Sequence, residues 1–411
     1  MASSIDPTQK SKYISAWLLC LIFYFVEYAA RSAPGVMIPE LAANLNEPTV
    51  AIGALLGAYY YTYSITSLIA GASLDFLGAK FAVPLGLCFL AIGCLLFPNG
   101  HSAVAYTARL LQGAGSAFAF TGAVFLATRG FTARVLSTVI GATQCLGMAG
   151  GFIGQFAVGP LMHRGMPWQT VWWVLGGASV VLCGGLLFVT PPEATPVNSS
   201  GRSIVRPYQV VFSNPQSYLC GAISGLLFVP TTIGAMTWGI ALLQHERGIA
   251  FEHAVFVASL VPLGWVIGCP ALGWLADTIG RRKPVVIGGS IAMALMLAQA
   301  VFLPCHLPIV VTCFVFGVFS GAAMIPYSVM KEVNPDEVKG SATGAINFMT
   351  FGVSALVGPV FGHLAAGGLK DPNLLRAFHG TLIFWIGAIC IAAILGLFLR
   401  ETGSAAHANE V

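Results

Sequence analysis

The chain has 411 residues, of which 57% are hydrophobic and 8% charged, with a net charge of +4. A soluble domain carries roughly 25% charged residues, so this composition excludes a soluble globule. The small net charge gives no reason to expect a nucleic-acid partner.

Apolar runs of about 20 residues, long enough to cross roughly 30 Å of hydrocarbon, recur along the whole chain. In chain order they predict twelve transmembrane helices, at 14–38, 49–74, 81–98, 102–129, 135–161, 167–190, 216–244, 251–275, 284–304, 308–331, 338–366 and 375–399. The first begins like a secretory signal, with Lys10 and Lys12 ahead of an apolar run. That run continues through Glu27 and Arg31 to Met37, so it reads as a retained span. Frequent Gly and Pro inside the runs are tolerated in packed membrane bundles. The segment 191–215, with Pro191, Pro192, Pro196 and Pro207, is the one sizeable polar break. It divides the chain into a tail (1–13), a six-helix bundle (14–190), a linker (191–215), a second six-helix bundle (216–399) and a tail (400–411). The fold class expected is an all-α membrane protein of two pseudo-symmetric bundles.

Lysine and arginine set the orientation. With the N-terminus inside, 13 of these residues fall in inner loops and tails and 4 in outer loops, so both termini are expected to be cytoplasmic. The ten cysteines are scattered, without a CxxC pair, and read as small packing residues rather than a disulfide or metal framework.

One motif occurs twice. Gly71-x3-Asp75-x2-Gly78-x-Lys80 recurs as Gly273-x3-Asp277-x2-Gly280-Arg281-Arg282-Lys283, displaced by 202 residues. Gly159-Pro160 recurs as Gly358-Pro359, displaced by 199 and read as helix-packing positions. Two related membrane halves point to a carrier that rocks around a central site. Each long motif falls in an inner turn, after spans 2 and 8. Gly71 and Gly273 would admit a neighbouring helix, and Gly78 and Gly280 suit a tight turn. Asp75 and Asp277 can accept charge-assisted bonds from arginines, Arg134 among the inner ones. The bland reading is a polar turn that enforces topology; the sharper one is a cytoplasmic latch between helices.

These doubled loops resemble the signature of the major facilitator superfamily. Arg109-x2-Gln112-Gly113-x-Gly115 is similar to its span-4 motif, and Gly159-Pro160 to its span-5 motif. The resemblance covers essentially the whole chain and implies a two-domain carrier with alternating access. Ala79 departs from the pattern, standing where the family often has arginine. A narrower set resembles the bacterial phagosomal transporter (Pht-like) branch. It comprises Glu27-Tyr28-x2-Arg31-x2-Pro34-x-Val36-Met37-x-Pro39-Glu40-Leu41, the tyrosines at 59, 60, 61 and 63, Gly115 to Phe120, Gly225 to Thr232, and Trp238-Gly239. That implies uptake of amino acids or nucleosides, with dipeptide carriers as more distant relatives; the expectation is a monomeric, proton-coupled importer of an amino acid, dipeptide or nucleoside in a bacterial inner membrane. The alternatives are an exporter of drugs or siderophores, a uniporter, or a non-transporting receptor.

Charged groups inside a bilayer cost about 2.5–3.5 kcal/mol on insertion scales and mark candidate sites. Glu27, Arg31 and Arg109 are the ones deep in spans. Glu27 and Arg31 are spaced i, i+4, so they share a helix face. They are either a neutralised structural pair or the place where solute and proton bind. Arg109 either arranges the cavity or reaches for the outer interface. Gln112, Tyr60, Gln144, Trp238, Tyr327 and Asn347 are further candidates, each weighed against plain helix packing. Tyr59 and Tyr63 share a face, whereas Tyr60 and Tyr61 point elsewhere. Seven histidines fall at outward ends, where they read as substitutes for lysine rather than as pH sensors. No nucleotide-binding loop, HExxH motif or nucleophile elbow is present, so neither a pump nor an enzyme is expected, and no cofactor.

Overall fold

The computed structural model describes residues 7–131, 133–192, 205–301, 307–335, 338–368 and 374–403. The side chains of Asp75 and Arg134, and His245, His306, His379 and His407, lie outside the described set. The described chain is helical almost throughout. In hydrocarbon every backbone N–H and C=O must be bonded within the segment, and an α-helix does this locally. Among the described residues, nine helices are long and apolar enough to cross a membrane. Two shorter apolar helices (Lys283–Gln299 and Gly380–Gly396) and the 29-residue α3 (Thr49–Leu77) stand at the other three expected positions.

The first half comprises α1 (Pro7–Ser32), the short α2 (Ile38–Leu45), α3, α4 (Ala79–Leu96), α5 (Ser102–Gly130), α6 (Ala133–Phe156), the short α7 (Val158–His163) and α8 (Trp168–Val189). The second comprises α10 (Pro215–Val229), α11 (Gly239–Arg247), α12 (Phe251–Ile279), α13 (Lys283–Val301), α14 (Ile309–Ser320), α15 (Ile325–Glu332), α16 (Lys339–Gly368) and α17 (Leu374–Gly396). Between them, α9 (Val205–Phe212) is a helix inside the segment read as a linker. Within the first half α5 packs on α1, α3 and α4; within the second α10 packs on α16 and α12 on α14. The halves meet chiefly along α3 against α16 and α6 against α12.

Several spans expected to be continuous are broken where proline removes a helix donor. The first ends at Ser32 and turns through a 3-10 stretch (Ala33–Val36) at Pro34. The seventh widens into a π-helical stretch, Pro230–Trp238, between α10 and α11. The tenth passes from α14 through a 3-10 turn (Gly321–Met324) into α15, which opens at Pro326. α6 stops just ahead of Gly159-Pro160. These interruptions place irregular backbone inside the bundle, which a membrane protein tolerates where it is covered by protein. Large apolar side chains such as Val181, Phe188 and Leu356 are instead exposed on the outside, as a lipid-facing surface requires.

Gly78 (φ +70°) and Gly280 (φ +68°) both turn the chain with positive φ, as expected of the repeated loops. The end of the bundle carrying them is the motif side, and the opposite end is the far side. His101, His163, His253 and His363 all stand toward the far side, at or near helix ends.

Candidate functional site

Glu27 and Arg31 stand one turn apart on α1, both fully buried, and form an ion pair through Arg31 Nη2 and Glu27 Oε1. The Tyr59 hydroxyl of α3 donates to the same carboxylate oxygen. Aromatic rings enclose the guanidinium. Its carbon lies 4.2 Å from the Tyr28 ring centroid, 4.8 Å from Tyr63, 5.2 Å from Tyr59 and 6.0 Å from Tyr60. Phe351, on α16 of the second half, completes the cage at 4.9 Å. Cation–π contacts of this kind are worth about 2 kcal/mol or more when desolvated. Tyr60, a sequence candidate on a different helix face from Tyr59 and Tyr63, joins the cage, its ring 5.2 Å from that of Tyr59. Tyr61 points outward and is exposed.

The pair is bonded but not saturated. Glu27 Oε2 and Arg31 Nη1 are buried without a hydrogen-bond partner. Close by, a small cavity between the halves is lined by Tyr28, Tyr63, Gln144, Tyr327, Asn347 and Phe351, among others. Its volume is about 10 Å³, room for about one water molecule. Two side-chain amides reach it from opposite halves. The Tyr24 hydroxyl donates to Gln144 Oε1 (3.0 Å), and the Tyr327 hydroxyl donates to Asn347 Oδ1 (2.6 Å). In this arrangement each amide turns its NH2 away from the tyrosine, and Gln144 Nε2 and Asn347 Nδ2 are buried without partners among the described residues. Buried polar groups are normally bonded, so this is a set of donors arranged for an acceptor.

Arg109 and Gln112 do not line the cavity. Arg109 is buried rather than extended toward an interface. It donates to Gln112 Oε1 (2.7 Å) and to the carbonyls of Ala30 (3.3 Å) and Leu56 (3.4 Å), and stacks 4.9 Å from the Tyr59 ring. Gln112 in turn donates to Gly93 O (3.0 Å). The two tie α1, α3, α4 and α5 together behind Tyr59. Trp238 ends the π-helical stretch and lies on Gly53 of α3, toward the far side.

The halves close over the site on both sides. On the far side Gln155 of α6 donates to the Met236 carbonyl of the π-helical stretch (3.0 Å), and Gly35 presses against that same carbonyl. On the motif side Ser64 of α3 donates to Phe348 O of α16 (2.6 Å), and Tyr208 of α9 donates to Leu68 O of α3 (2.8 Å).

The second repeated loop carries a network confined to the second half. Arg282 donates to Asp277 (2.5 Å) and Glu332 (3.1 Å), and Glu401 accepts the backbone N–H of Arg282 (2.6 Å) and Lys283 (3.2 Å). Lys283 Nζ also reaches Leu397 O (2.5 Å). Burial works against the charge of Arg282, yet its hydrogen bonds to Glu332 and Asp277 outweigh it and carry its pKa up. Arg281 is exposed. In the first loop Tyr208 stands against Gly71, whereas nothing lies within 4 Å of a β-carbon placed on Gly273. The close approach expected at Gly273 is absent among the described residues. Gly159 packs against Val255 of α12, its twin Gly358 faces Ile233 at ordinary contact, and Pro359 lies inside α16. Sequence reasoning missed Phe351, Gln155, Glu332 and Glu401, whose partners are all distant in sequence.

A sequence profile described as the Major Facilitator Superfamily matches residues 20–359. The chain is 23% identical to the probable galactarate/D-glucarate transporter GudP of Bacillus subtilis, over 97% of this chain and 94% of that one. It is 24% identical to the membrane sensor protein UhpC of Salmonella typhimurium, over 93% and 89%. Among solved structures the nucleoside transporter NupG superposes with a TM-score of 0.71 at 14% identity, covering 93% of this chain and 99% of that one. That likeness is one of fold.

Proposed function

The chain belongs to the Major Facilitator Superfamily, a family of transporters rather than enzymes, and on that premise we propose that it carries a small organic solute bearing a carboxylate, taken up with a proton by alternating access. The observation that carries this reading is charge. Among the described residues the buried charged side chains are Glu27, Arg31 and Arg109, which sum to one uncompensated positive charge. An unbalanced charge in low dielectric is costly; Arg109 is bonded behind Tyr59 to Gln112 and two carbonyls, so the place open to an anion is Arg31, whose counter-charge a proton on Glu27 removes. Arg31 Nη1 and the amides of Gln144 and Asn347 are the donors for that anion; Glu27 Oε2 is left for an ammonium, a hydroxyl or the coupled proton.

Amino acids, dipeptides and sugar acids all satisfy this donor set. A nucleoside offers Arg31 no carboxylate and is the less supported member of the expected panel. The names of relatives such as the galactarate/D-glucarate transporter support a sugar acid. Membership of the phagosomal branch, twelve spans in two six-helix bundles, cytoplasmic termini and a monomeric carrier belong to the same proposal. In this proposal the motif side faces the cytoplasm.

The test is uptake of labelled sugar acids, amino acids, dipeptides and nucleosides into proteoliposomes, with and without an inward proton gradient. Wild-type protein is expected to accumulate a carboxylate only with the gradient. Glu27→Gln is expected to lose the gradient dependence and Arg31→Ala the uptake. Unchanged uptake and pH dependence in both variants would sink the reading. The likeness to a membrane sensor supports a second reading, a receptor that binds the same solute without moving it. Saturable binding with no accumulation would establish that instead.

A further inference from the structure

Arg31 is walled in by rings, and one wall belongs to the other half. Tyr28 stands on the same helix as Arg31, and Tyr59, Tyr60 and Tyr63 stand on α3; α1 and α3 both pack on α5 within the first half. Among the described residues Phe351 alone comes from the second half, its ring centroid 4.9 Å from the guanidinium carbon. A carrier of this fold works by parting its halves, and when they part Phe351 is the wall that leaves Arg31.

The buried ring is held from both sides of that boundary. It stacks on Tyr60 (6.3 Å between centroids, 7° between planes), meets Tyr63 edge-on at 4.3 Å, and rests on Phe228 of α10 in its own half at 5.3 Å. Phe351 follows Asn347 by four residues on α16, so the two share a helix face, and both line the small cavity. That cavity holds about one water molecule, and a solute bearing a carboxylate is larger. With both sides closed, Phe351 over Arg31 and a solute carboxylate at Arg31 are therefore alternatives.

A guanidinium shut away from water needs negative charge around it. Glu27 supplies this at Nη2, whereas Nη1 has no hydrogen-bond partner. The negative faces of the rings are what surrounds the rest of the group. We propose that Phe351 is an internal stand-in for the solute: its ring covers Arg31 when the halves close without solute, and so lets the unloaded carrier return to the side of entry. The inference rests on the reading of Arg31 as the carboxylate site. In the loaded carrier the solute carboxylate takes the place of the ring, so Phe351 serves the return step and not the loaded one.

Two rates are compared in proteoliposomes, using whichever labelled carboxylate the wild type transports. Exchange, with saturating solute on both sides, needs only the loaded carrier. Net uptake into solute-free vesicles needs the unloaded return as well. Phe351→Leu keeps an apolar side chain and removes the ring face. Its net uptake is expected to fall about tenfold or more, as loss of a desolvated cation–π contact implies, with exchange near that of the wild type. Phenylalanine bearing one, two or three ring fluorines at 351 keeps its shape while charge is drawn from the ring face. Net uptake is expected to fall stepwise with each fluorine. The same series at Phe361, packed on Phe384 and Trp385 farther along α16, is the control and should leave both rates unchanged. Net uptake indifferent to fluorine at 351 overturns the inference, and so does an equal loss of exchange and net uptake in Phe351→Leu, which marks plain packing. Uptake of the carboxylate that survives Arg31→Ala removes the underlying reading instead, and the inference with it.

Discussion

Gly35→Ala tests the closure of the far side. Gly35 lies in the 3-10 stretch after α1, and a β-carbon there would stand 2.2 Å from the Met236 carbonyl oxygen of the second half. An ordinary carbon–oxygen contact is about 3.3–3.6 Å, so the two segments must separate by roughly 1 Å. Overpacking of a well-packed core costs about 1–3 kcal/mol. That cost falls only on conformations closed at the far side, since Met236 moves away with the other half when this side opens. The substitution therefore biases the carrier toward far-side opening by about 5- to 150-fold. The assay is the rate at which a water-soluble maleimide modifies Ile52→Cys, a buried position in the first turn of α3 at this side. The background should lack the exposed Cys88 and Cys390. Gly57→Ala is the control, because nothing lies within 4 Å of its added β-carbon. A Gly35→Ala protein that folds normally and is labelled at the parent rate would refute the idea that this contact closes the pathway.

Three further outcomes are expected. Gln155→Leu leaves the Met236 carbonyl without its donor, a loss of about 1–3 kcal/mol, and should speed far-side labelling without raising the KM for solute. Glu332→Ala should lower the melting temperature of the purified protein, because partly buried Arg282 keeps only Asp277 and the Thr402 hydroxyl loses its acceptor. Asp277→Asn should change it little, since Asp277 is 66% exposed and exposed ion pairs contribute about 0–1 kcal/mol. Gln144→Leu and Asn347→Leu should each raise the KM for a carboxylate solute about tenfold, as removal of one charge-assisted hydrogen bond does, with little change in maximal rate. An unchanged KM in both would take these amides out of the solute site.

Much of the architecture was legible in the sequence because a bilayer imposes simple rules. Run length marks the spans, a charge inside a run marks a site, and the repeated loop shows two halves. Glu27 and Arg31 could be paired on paper, since i, i+4 spacing is a local fact. What spacing could not show was the third partner. It put Tyr59 and Tyr63 on one face, but which face meets α1 depends on how α3 packs. Phe351 entered the cage from 320 residues away from Arg31. Glu401 caps the second loop across 119 residues and Glu332 binds Arg282 across 50, pairings that no local pattern encodes. Pro34, Pro230 and Pro326 stood inside runs read as continuous spans, because a proline in a packed membrane helix can be tolerated as well as break it. The partners of the irregular backbone, such as Gln155 beside the Met236 carbonyl, are distant in sequence and equally out of reach of local patterns.

The central claim is that Glu27 takes a proton each time a carboxylate enters. It is tested most directly by adding the transported carboxylate outside proteoliposomes loaded with a pH dye, at equal pH on both sides. The account predicts that solute entry acidifies the lumen in the wild type and leaves it unchanged in Glu27→Gln. Uptake of the labelled solute by the wild type with no lumenal acidification would contradict it.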